Sequence, residues 1–115
     1  MELIVKKSKW HRGSGFSHLL NADDSMCILG FYGKTLGVTN QDLRYYASPD
    51  NAINKLWPLW LWGHDFVPLS ENDGTRNNRT ELSNINDSRL FSDEERETKI
   101  VEMFSKFDVQ VKFVD

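Results

Sequence analysis

The closing stretch "VQVKFV" (Val109–Val114) alternates apolar and polar side chains, the pattern of a strand with one buried face. Val109, Val111 and Phe113 make its apolar side. Just before it, Ile100, Met103, Phe104 and Phe107 recur at helical spacing until Asp108 breaks the pattern. A helix therefore feeds the strand, and Ser92 with Glu95 ahead of that helix has the spacing of a capping box. At the other end of the chain, Glu2–Lys6 is short and β-branched in its middle, and reads as a second strand. Strands at both ends with helices between them predict an α+β fold. The expected form is a compact single domain over residues 1–115, its N- and C-terminal strands in one small sheet packed against several short helices. Two separate cores in 115 residues would each be too small to be stable.

Between the strands, "HRGSGFS" (His11–Ser17) is a loop. "NADDSMCILGFYGKTLGV" (Asn21–Val38) predicts a helix over Met26–Leu36, with Asp23, Asp24 and Ser25 as caps and Gly37 as its stop. Gly30 and Gly33 weaken that helix, so they mark a place where another group packs closely. "TNQD" (Thr39–Asp42) resembles a capping box and opens a short helix towards Tyr46. "SPDNAINKLW" offers another, with Ser48 as cap and Pro49 in the first position. Pro68–Asn78 is polar and aperiodic, and reads as the main mobile loop. Arg79–Ile85 suggests a helical turn or two, and "ERETK" (Glu95–Lys99) a solvated helix face with local ion pairs.

Charge and cysteine content narrow the function. A net charge of −3 argues against a non-specific DNA binder, which needs a broad basic face, although Lys6, Lys7, Lys9 and Arg12 make the start basic. One cysteine excludes an internal disulfide and suits a reducing cytosol. The apolar part of "MELIVKK" is too short for a secretion signal. "LWPLWLW" (Leu56–Trp62) is too short to span a membrane and carries a proline. The expectation is a soluble, cytoplasmic protein without a cofactor.

Three groups of residues can carry chemistry or binding. Cys27 stands at a helix start, where a thiol can be activated, with His11, His18 and His64 as candidate bases. Its neighbours Ile28 and Leu29 argue instead for a buried structural thiol. Arg12, Gly13 and Ser17 resemble part of a phosphate-holding loop but lack its full glycine spacing. Arg12 alternatively pins the loop to a carboxylate, for which Asp87 is the expected acceptor. Trp57, Trp60 and Trp62 follow no single period, so at least one indole is expected to leave the core beside His64 and Asp65. With the following loop, including Asp73 and Arg76, they form the expected partner-facing surface. No histidine–cysteine spacing suits a metal.

Trp10, Arg12–Gly13, Ser17, Leu19–Leu20, Met26-Cys27-x-Leu29-Gly30, Asn86–Asp87, Glu95-Arg96-Glu97 and Val111-x-Phe113-Val114 together resemble a small family encoded by bacteriophages and prophages. The outline covers both ends of the chain but not 45–84. Its members often carry two adjacent cysteines, where this chain has Cys27 and then Ile28. The resemblance implies a context rather than a reaction. By analogy with small phage accessory proteins, it implies binding to a host protein or immune complex, with inhibition or redirection as the outcome. The alternatives are a small cysteine-dependent enzyme using Cys27, and a nucleotide or phosphate-ligand binder. An exposed Cys27 within reach of a histidine would favour the enzyme, and an exposed aromatic patch without a deep polar pocket the binder.

Overall fold

A computed structural model describes residues 1–66 and 76–115. Strand β1 (Glu2–Lys6) leads through a short 3-10 turn and the 11–17 loop to α1 (Ile28–Leu36) and the single-turn α2 (Asn40–Leu43). A second 3-10 turn, Leu59–Trp62, precedes α3 (Asn78–Asp87), α4 (Asp93–Ser105) and β2 (Gln110–Val114). The described residues form a single α+β globule.

The terminal strands pair as expected, in parallel, with Leu3 opposite Val111 and Val5 opposite Phe113. Helix α1 packs on β1 and α4 on β2, and α3 touches both helices. Leu3, Ile28, Leu29, Leu82, Ile100 and Phe104 are wholly buried where these elements meet. Each such side chain contributes roughly 1.5–3 kcal/mol by leaving water. Phe107 lies beyond the end of α4 and is only half-buried. The turn from α4 into β2 places Asp108 at φ 60°.

The two glycines of α1 serve contact. A Cβ on Gly30 would lie 1.8 Å from the Leu19 carbonyl oxygen, and one on Gly33 would lie 2.5 Å from the Trp57 ring. Only glycine lets the chain and the indole approach the helix so closely. Gly37, at φ 97°, ends α1 in the left-handed region.

Four local expectations are corrected. Helix α1 begins at Ile28 rather than Met26, because Met26 is drawn into a bridge with Trp10. Asp23 does not cap it, since that carboxylate accepts from the amide and hydroxyl of Ser25 within its own turn. The Ser48–Trp57 stretch forms turns rather than a helix: the side-chain oxygens of Asp50 and Asn54 accept from Ala52 and Leu56 amides and divert the backbone. Arg96, expected in solvent, is among the largest fully buried side chains. The capping boxes are present in part or whole: Thr39 accepts from the Asp42 amide, and Ser92 and Glu95 cap α4 reciprocally. Asn77 caps α3, so that helix runs longer than "RTELSNI" suggested.

Candidate functional site

The 11–17 loop is held in place by Asn86, a buried residue near the end of α3. Its side-chain oxygen accepts from the Trp10 indole at 2.7 Å and from the Ile28 amide at 3.0 Å. Its amide nitrogen donates to the His11 carbonyl and to Asp87. All its hydrogen-bonding capacity is used, and one side chain joins the loop, the start of α1 and the end of α3.

The amides of Gly13 and Gly15 donate to the carbonyls of Asn86 and Asp87, each at 2.8 Å. Ser17 is buried, its hydroxyl donating to the His18 carbonyl and accepting from Asn21. The donors expected to cradle an anion are thus engaged internally. Arg12 pairs with Asp93 at 3.2 Å rather than with Asp87, and its guanidinium lies over the Trp10 ring. Burial pushes the Asp87 carboxyl above the ordinary carboxylate range, although Asn86, His11 and Arg96 oppose it. The Arg12 hydrogen bond instead holds Asp93 below that range.

Arg96 closes the far side. Its guanidinium donates to the carbonyls of Ile85, Ser88 and Phe91 and to Asp93. It therefore serves the carbonyl-rich end of α3, where a positive charge is also favoured by the helix dipole.

Cys27 sits at the cap of α1 but is buried, and its thiol is pushed up to about 12, chiefly by that burial. The desolvation of a thiolate outweighs the attraction of the helix terminus. His11 bonds to Ser14 at 2.8 Å instead of to the thiol. Among the described residues no three His, Cys, Asp or Glu side chains gather to hold a metal.

The tryptophan tract is largely core. The 3-10 turn carries Leu61 inward and leaves Leu59 exposed, while Trp57 lies beneath Gly33. Trp60 stacks on Phe107 with ring centroids 4.1 Å apart and donates to the Tyr32 hydroxyl. Trp62 is half-buried beneath the Arg79 guanidinium. His64 and Asp65 are exposed, with the Asp65 carboxylate bound by Asn78. Arg76 pairs with Glu81. Asp73, and most of the loop expected to be mobile, lie outside the described residues.

A different set of aromatics stands in solvent. Phe16 is 55% exposed and Tyr45 67%, with the His18 ring edge-on to both at centroid distances of 5.0 and 6.2 Å. Tyr45 holds φ at 68°, a conformation costly for a bulky residue. Its position is set by an isolated bridge between Leu20 and Arg44 and by the Arg44–Asp24 ion pair. The Tyr46 carbonyl accepts from the Leu19 amide at 2.7 Å, which ties the two loops together. Beyond Phe16 runs an open cleft of about 660 Å³ lined by Ser14, Asn84, Asp87 and Arg89. Phe16, His18 and Tyr45 share no spacing or motif in the sequence that would group them. The available signal was that Phe16 and the Tyr45–Tyr46 pair lie in polar surroundings without a periodic apolar face.

Comparisons with protein-family models, curated proteins and solved structures gave no significant match. No helix among the described residues is long and apolar enough to cross a membrane.

Proposed function

We propose that this protein is a phage-type accessory protein that binds a host protein and inhibits or redirects it, with bacterial immune complexes the first class of target to test. The observation that carries the reading is the pair of exposed rings, Phe16 and Tyr45, flanking a half-buried His18 on two loops tied to each other and to the core. Aromatic side chains bring large contact area at low entropic cost, and binding energy concentrates in a few such anchors. We accordingly assign the partner-facing surface to these rings ahead of Trp57, Trp60 and Trp62, which are packed wholly or partly against the core. The burial of Cys27, which pushes its thiol up, gives no support to a cysteine-dependent enzyme.

The test is affinity capture from a bacterial host, comparing the parent protein with Phe16→Ala and Tyr45→Ala. Both side chains are exposed, so both variants should fold. Each truncation is expected to cost on the order of 2 kcal/mol in binding and deplete the same captured protein. Equal capture by all three would exclude this surface.

A further inference from the structure

Along β1, exposed Glu2, Ile4 and Lys6 alternate with buried Leu3 and Val5. The parallel register and the Gln110 amide donating to the Met1 carbonyl fix which main-chain groups meet β2. In a parallel ladder, both main-chain groups of every second residue point the same way. Those of Leu3 and Val5 face β2, so those of Glu2, Ile4 and Lys6 face the other edge. No strand occupies that edge among the described residues. An open edge is a template for another strand. Parallel sheets ordinarily bury both faces, yet here Ile4 and Val114 stand more than two-fifths exposed on the outer one.

We propose that β1 pairs antiparallel with β1 of a second copy of this chain, around a two-fold axis at Ile4, to make a four-stranded sheet. Charge selects this occupant. The axis sets Glu2 of each copy opposite Lys6 of the other, with Ile4 opposite Ile4. Those three residues also carry the outward-facing amides and carbonyls, so the Glu2–Lys6 and Ile4–Ile4 pairs fall at hydrogen-bonded positions, with Leu3 opposite Val5 between them. Sliding the register by two residues opposes a charge to Ile4 and breaks the match. The β2 edge lacks the same symmetry, because an axis at its centre sets Lys112 against Lys112. The Glu2–Lys112 ion pair within one copy, at 3.1 Å, lies on the same outer face. Glu2 then sits between two ammonium groups, one from each copy. The contact is isologous and closes at two copies.

Sedimentation of the purified full chain across the micromolar range tests this. A concentration-dependent dimer is expected. Glu2→Lys opposes like charges twice across the axis and should weaken dimerisation about tenfold or more. Adding Lys6→Glu and Lys112→Glu to it exchanges both partners of residue 2 and should restore the dimer. Ile4→Pro removes an N–H that the β1–β2 ladder does not use, so it should give a monomer with an unchanged circular dichroism spectrum. If that variant fails to fold, the charge-exchange pair decides. A parent protein monomeric throughout, dimers indifferent to Glu2→Lys, or failure of the exchange to restore association would each overturn the proposal.

Discussion

The Trp10 indole donates to the side-chain oxygen of Asn86 from 76 residues away, at 2.7 Å. That bond joins the exit of β1 to the end of α3, and the same oxygen also receives the first amide of α1. A neutral side chain thus does in the interior what a local cap does at the surface.

Asn86→Ala should therefore be among the most destabilising single changes. It leaves the Trp10 indole N–H, the Ile28 amide and the His11 carbonyl without their partner. Each orphaned group costs about 1–3 kcal/mol, so a loss of about 3 kcal/mol or more is expected in urea unfolding. A loss below about 1 kcal/mol would mean that the loop reorganises without it.

Arg96→Lys should also destabilise, by about 2 kcal/mol or more, because one ammonium cannot reproduce a planar fork serving three carbonyls and Asp93. Acid should act on the same network. The folded pKa of Asp93 lies below its unfolded value of 3.8, so its contribution is present above 3.8 and is lost as pH falls through the lower folded value. Arg12→Ala, which removes the main cause of that shift, should flatten this part of the acid profile. The effect is small because Asp93 is largely exposed.

Gly30→Ala gains about 1 kcal/mol in helix propensity yet should fail to give a stable fold. The added methyl meets the Leu19 carbonyl oxygen at 1.8 Å, and that oxygen belongs to backbone that cannot rotate away. Thermal unfolding followed by circular dichroism measures the outcome. A folded, more stable variant would show that the 19–20 segment can move.

Cys27 should resist thiol reagents in the native protein at neutral pH and react only as the chain opens, since burial holds it protonated. Cys27→Ser should cost about 1–3 kcal/mol by burying a hydroxyl, with binding per folded molecule unchanged. Labelling rates that exceed the opening rate would show an accessible thiolate.

Tyr45→Gly separates folding from binding. Glycine accepts φ 68° without strain, and the lost side chain is mostly in water, so stability should rise by about 1 kcal/mol. Capture of the partner should fall at the same time. A destabilised variant would mean that the Tyr45 ring contributes more to packing than to recognition.

Local pattern determined much of this protein. A short β-branched run in Glu2–Lys6 and alternation in Val109–Val114 mark the two strands, the period of Ile100, Met103 and Phe104 marks α4, and Ser92 with Glu95 marks its start. The paired glycines announced a close approach, because a cost in helix stability needs a return in contact. These features depend on neighbours within a turn or a few residues, which the chain order itself supplies.

What lay outside that range was decided by the tertiary structure. Nothing near Arg96 in sequence reveals that the end of α3 needs a buried cation; the carbonyl groups it serves converge only when α3 and α4 pack. The cap of α1 comes from Asn86 rather than the adjacent acids, because Met26 is held by Trp10 and the helix starts later. The Cys27 thiol is pushed up for the same kind of reason: the helix terminus offers a local field, but burial by distant segments sets the solvation. Phe16 and Tyr45 stand in solvent, whereas Tyr32, Phe104 and Phe107 pack against Trp57 and Trp60. Exposure depends on what the rest of the chain covers, and residue order alone does not contain that until the chain has folded.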